Sequence, residues 1–110
     1  MSSKLPAKYR VEIAKIAEAD LEGIWILIAA DSTENATHFV IQLEEKIGTL
    51  EQLPNRCPLI PENVQIGTAY RHLIIDDYRI IFRVEASTVY ILRIFHGNRL
   101  LDVSTLGENR

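Results

Sequence analysis

Hydrophobic and polar positions alternate along Tyr9–Ala14, with Tyr9, Val11 and Ile13 on one side and Arg10, Glu12 and Ala14 on the other. A period of two marks a strand with one polar face. The period then lengthens. Leu21, Ile24, Trp25 and Ile28 recur at helical spacing, which predicts a helix over about Leu21–Ala30. Asp20 stands where an N-cap carboxylate would accept from the free amides of the first turn. Ile26 and Leu27 lie off the stripe, so this helix is either deeply packed or presents an apolar face to a partner.

The polar run Asp31-Ser32-Thr33-Glu34 separates it from a second helix ending near Leu53, before Pro54. The second apolar face is Ala36, Phe39, Val40, Leu43, Ile47, Leu50 and Leu53, and His38 falls on the wet side. Two helices with so short a link form an antiparallel αα-hairpin. Pro54–Ile66 has three prolines and no period, and reads as a loop.

Three strands follow: Tyr70–Ile75, Tyr78–Val84 and Val89–His96, joined by Asp76-Asp77 and by Glu85–Thr88. The predicted class is α+β. An N-terminal strand and an αα-hairpin precede a three-stranded antiparallel meander, with the helices packed on one sheet face. Residues 1–8 form a polar lead-in, 9–103 one domain, and 104–110 a polar tail.

Two turns of these lengths fix an expected register. Tyr70, His72, Ile74, Arg79, Ile81, Arg83, Tyr90, Leu92, Ile94 and His96 share one face. Leu73, Ile75, Ile80, Phe82, Val84, Val89, Ile91 and Phe95 share the face that the helices cover. Arg71 and Arg93 then fall on the core side, and a bulge would exchange such assignments, because a slip of one residue inverts a strand. The uncovered face holds His72, Arg79, Arg83, Tyr90 and His96, with Arg99 just beyond it. Guanidinium forks bind phosphate or carboxylate, and histidine exchanges protons near neutral pH. The alternative is a solvated sheet face with scattered arginines.

The formal charge of −3 and pI near 5.6 speak against strong nonspecific nucleic-acid binding. That charge is unevenly spread. Residues 1–66 hold six Lys/Arg against ten Asp/Glu, and residues 67–110 hold six against five. The one cysteine, Cys57, excludes an internal disulfide, suits a reducing compartment and has no neighbouring base to make it a nucleophile. Neither a signal peptide nor an apolar run of membrane-spanning length is visible, which points to the cytoplasm. The sequence has no Gly-rich phosphate loop, no paired Cys/His spacing and no nucleophile elbow. No cofactor, no metal and no membrane partner are expected.

Asp20-Leu21 opening a helix, Pro54 closing the next, and the run YRIIFRV…VYILRIFHGNR together resemble the RelE/ParE superfamily, the toxins of type II toxin–antitoxin (plasmid stabilisation) modules. The resemblance covers about residues 9–103. It implies a cognate antitoxin as partner, with contact to DNA made only through that antitoxin. It also implies one of two activities on one fold: inhibition of DNA gyrase in ParE-like members, or ribosome-dependent mRNA cleavage (mRNA interferase activity) in RelE-like members. For the second, Arg79 in Tyr78-Arg79 and Arg99 in Gly97-Asn98-Arg99 match arginines that hold the scissile phosphate, and His96 is the candidate acid or base. The second-strand lysines of that branch are replaced by Tyr70-Arg71-His72-Leu73, and its C-terminal tyrosine is absent. The His-Gly-x-Arg ending is closer to the ParE side, where Arg79 and Arg99 become target-binding residues. His72, Arg79, Arg83, Tyr90 and Arg99 are then the expected target- or antitoxin-binding set. A third possibility is a non-toxic binding module on the same fold.

Overall fold

A computed structural model describes residues 8–97. The lead-in before Lys8, the 104–110 tail and Arg99 lie outside the described residues. Strand β1 (Arg10–Ile13) runs straight into helix α1 (Lys15–Ala29), followed by α2 (Thr33–Gly48). Two 3-10 turns, Thr49–Glu51 and Pro54–Arg56, and a short helix α3 (Asn63–Ile66) lead to β2 (Arg71–Ile75), β3 (Tyr78–Glu85) and β4 (Thr88–His96). The sheet order is β1-β4-β3-β2, with β1 parallel to β4 and the other pairs antiparallel.

Helix α1 starts six residues before the position the apolar stripe suggests. Lys15–Asp20 contains good helix formers, and the helix begins on Ala14 with no side-chain cap. Asp20 is therefore not an N-cap but lies inside the helix, where its carboxylate does other work. Ser32 caps α2, its Oγ accepting from the Asn35 amide at 3.1 Å. That helix ends at Gly48, and the chain tightens into the 3-10 turn instead of continuing to Leu53. Leu53 itself takes a left-handed conformation (φ 50°) immediately before Pro54, where the chain turns away from the helix.

Helices α1 and α2 pack on one sheet face. Ala17, Leu21 and Ile24 from α1 and Leu43 and Ile47 from α2 meet Ile75, Ile80, Phe82, Val89, Ile91 and Ile94. Phe82, Leu43, Leu50 and Ile80 are fully enclosed there. The opposite face is not left bare. Residues 54–66, expected as a plain loop, bring Ile60 against Tyr70, Ile81, Leu92 and Phe95 to form a second, smaller core.

The two-residue Asp76-Asp77 turn gives the expected pairing, Ile75 with Tyr78 and Ile74 with Arg79. Val84 also pairs with Val89 as expected, although the turn closes further, on Ala86-Ser87. The register then slips: Phe82 pairs with Ile91 but Ile81 pairs with Arg93, leaving Leu92 as an extra residue on β4. Every β4 residue beyond the bulge changes sides relative to an unbulged strand. Ile94 joins the helix-covered core and Phe95 the second core. His96 pairs with Tyr78 and Arg93 with Ile81.

Among the described residues no helix is long and apolar enough to cross a membrane.

Candidate functional site

The β2–β3 register sets His72 and Arg79 side by side on the face away from the helices. The excursion between Cys57 and Tyr70 then brings a carboxylate over them. Its path is fixed by the Ile60 amide donating to Tyr70 O (2.9 Å) and the His72 amide donating to Pro58 O (3.1 Å). Asn63 acts as a side-chain clamp: Nδ2 donates to Tyr70 O, while Oδ1 accepts from the Tyr70 amide and the Thr68 hydroxyl. Glu62, just before the clamp, meets Arg79 through two parallel bonds, Nη1 to Oε2 at 3.0 Å and Nη2 to Oε1 at 2.9 Å. Arg79 Nε donates to His72 Nδ1 at 3.0 Å.

This cluster is largely enclosed, with the Arg79 side chain 12% and that of Glu62 20% exposed. The Arg79 hydrogen bonds hold the Glu62 carboxyl below its ordinary value, against the opposing effect of burial. Burial, and then the Arg79 charge, depress the His72 pKa, while Glu62 opposes the shift. His72 is thus held as a neutral acceptor at the back of the guanidinium.

The remaining candidates fall into two places. Arg83 lies over the Tyr90 ring, 4.2 Å from its centroid, and pairs with Glu85. His96 stands on the helix side of the sheet, edge-on to Tyr78 at 5.2 Å. The structure therefore groups His72 with Arg79, groups Arg83 with Tyr90 nearby, and separates His96 from them through the bulge. The shared face expected for Arg79 and His96 does not form. Gly97 explains the small residue after His96. A Cβ there would sit 3.0 Å from the Asp77 carbonyl oxygen, which also accepts from the Gly97 amide.

The second place is the edge of β4. Strand β1 reaches only as far as Ile13 opposite Ile91, so among the described residues Leu92–His96 has no strand neighbour on that side. Asp20 stands in for one. Its carboxylate accepts from the Ile94 amide (2.9 Å) and from Arg93 Nε and Nη2 (2.8 and 2.9 Å). Beside this pin an open cleft of about 430 Å³ is lined by Gly23, Ile24, Leu27, Tyr78, Ile94 and His96. Leu27 is 68% and Ile26 63% exposed. Ile26 and Leu27 are thus solvent-facing and not deeply packed, while Ile24 is core.

Burial pushes the Cys57 thiol pKa up, against the lowering effect of Arg56 and Arg71, so it stays protonated. Among the described residues no three His, Cys, Asp or Glu side chains are grouped to hold a metal ion. Glu62 and Asp20 make arginine pairings that the sequence pattern does not show. One sits in an aperiodic proline-rich stretch, and the other lies 73 residues from its arginine.

Comparison with known proteins bears on the family and the fold. The family model for the ParE toxin of the type II toxin–antitoxin system parDE matches residues 11–101. In structure the chain is similar to the chromosomal ParDE toxin–antitoxin system from P. aeruginosa. That match has a TM-score of 0.70 and 24% identity, covering 83% of this chain and 98% of that one. It is also similar to the RelBE2 toxin–antitoxin complex from Mycobacterium tuberculosis, with a TM-score of 0.51 and 27% identity over 81% of this chain and 98% of that one. No curated protein matches. With the family model spanning most of the chain, and the α+β fold its relatives share, this protein belongs to the ParE toxin family of type II toxin–antitoxin systems, within the RelE/ParE superfamily.

Proposed function

We propose that this toxin acts by inhibiting DNA gyrase and is neutralised by a cognate antitoxin. The observation that carries this reading is the state of Arg79. Phosphoryl cleavage needs a cation open to the scissile phosphate and an acid or base beside it. Here the Arg79 fork is filled by Glu62, its Nε faces a neutral His72, and His96 lies across the sheet. Membership of the ParE family supports the same side. Pulse-labelling after induction of the toxin alone tests it. DNA synthesis falling before protein synthesis is the expected order; the reverse would favour mRNA cleavage, and normal growth a non-toxic module.

The antitoxin's docking surface is proposed to be the cleft between α1 and the open edge of β4. An extended or helical apolar segment laid there would cover Leu27 and Ile94 beside the stretch of β4 that β1 does not reach. The Arg83–Tyr90 pair is the proposed surface on the other face, for antitoxin or target, because it is more open than Arg79.

A further inference from the structure

We propose that Glu62 is an internal blocker of an oxyanion site, and that Arg79, oriented from behind by His72, would bind a phosphate-type anion if Glu62 were removed. The argument is geometric. A guanidinium fork that receives two oxygens at 2.9 and 3.0 Å binds any planar or tetrahedral oxyanion of similar oxygen spacing, and carboxylate and phosphate share that recognition. The site has walls independent of Glu62. Arg79 is oriented from behind by His72 Nδ1, and the two residues stand at diagonal positions on one face of a regular β2–β3 ladder.

Glu62 is likewise delivered independently of Arg79. Ile60 before it is core, and the Asn63 clamp after it is bonded to Tyr70 and Thr68. The chain thus holds a carboxylate at high local concentration over the fork, which no dilute external anion matches. The neighbouring cation on this face, Arg83, has its own carboxylate in Glu85, so among the described residues Arg79 and Arg83 do not make an open double cation for a nucleic-acid backbone. The inference concerns the sheet face itself and holds whichever cellular target is poisoned.

Titration of inorganic phosphate at constant ionic strength, read at the Arg79 Nε–H and the His72 ring by NMR, tests it. Wild type is expected to show no saturable shift. Glu62→Ala is expected to bind phosphate at least about tenfold more tightly than wild type, since the intramolecular competitor and its negative charge are gone. Adding Arg79→Lys to Glu62→Ala should abolish the gain, because an ammonium lacks the fork. Glu62→Gln, close in shape, serves where the alanine variant is unstable and should show a smaller gain in the same direction. Equal binding in wild type and a folded variant, or none in either, would overturn the proposal. So would loss of the fold in both variants, which would make Glu62 a folding residue and not a blocker.

Discussion

Two arginine–carboxylate pairs, Arg93–Asp20 and Arg79–Glu62, look alike taken singly and differ in what surrounds them. Both are bidentate at 2.8–3.0 Å, and both leave their arginine side chain 12% exposed. Asp20, however, is fixed in the second turn of a long helix and also takes the Ile94 amide, so it ties α1 to β4 at the point where β1 stops. Glu62 lies on an excursion that its own clamp already secures, and its arginine has a second partner in His72. Removing Asp20 takes the acceptor from a main-chain donor and the counter-charge from a nearly buried cation. Removing Glu62 frees a cation in a ready-made site. The same chemical pair is architectural in one place and a cover over chemistry in the other.

The largest effect should follow Asp20→Ala. Leaving Arg93 and the Ile94 amide without their acceptor should cost about 2–4 kcal/mol, read as a lower urea midpoint with unchanged slope. Glu62→Ala should cost less, about 1–2 kcal/mol, with the helix-side core intact by hydrogen exchange. Equal losses in the two variants would erase the distinction between the pairs.

How much of this was legible in the sequence follows from the physics of each element. Strand and helix periods gave the element order, and Asp76-Asp77 gave the β2–β3 register, because these are local patterns. The β4 bulge was not legible: Ile91-Leu92-Arg93-Ile94 offers apolar residues to either face, so alternation cannot say which residue is extra. That single extra residue moved His96 away from Arg79. The start of α1 was missed because the apolar stripe begins after the helix does. Glu62 was missed because an aperiodic stretch gives no face. Its signal was negative: Pro54–Ile66 holds Leu59, Ile60 and Ile66, more apolar residues than a solvated loop needs.

The edge that Asp20 pins can be probed without disturbing it. A Cβ at Gly23 meets nothing within 4 Å, so Gly23→Leu should fold normally while filling the cleft. Replacing a helical glycine also removes about 1 kcal/mol of helix penalty. Antitoxin affinity should fall by about tenfold or more, in keeping with loss of an apolar contact area. On the other face Arg83→Glu is the cleaner test, since the carboxylate it would oppose, Glu85, is open to solvent, whereas Arg79→Glu would place a negative charge against the enclosed Glu62. Unchanged antitoxin affinity and unchanged toxicity in Arg83→Glu would remove that face as a docking or target surface.

The smallest effect separates the pairs by pH. His72 has a folded pKa below its ordinary 6.5, so the unfolded chain takes up a proton first as pH falls. Its stability contribution is whole above 6.5 and declines through the folded value. Glu62 is also depressed, from 4.5. Its contribution is present above 4.5 and is lost as pH falls through the lower folded value. Stability should therefore decline in two stages on acidification, and His72→Gln should remove the first. A single stage in wild type would mean that the two groups are not held as the geometry implies.

The most direct measurement is a supercoiling assay with purified gyrase and the purified toxin, run beside a ribosome-dependent mRNA cleavage assay at the same concentrations. Gyrase poisoning by a protein whose Arg79 is covered predicts inhibited supercoiling, relieved by antitoxin, with mRNA left intact. Intact supercoiling together with mRNA cleavage that Arg79→Lys abolishes would contradict it.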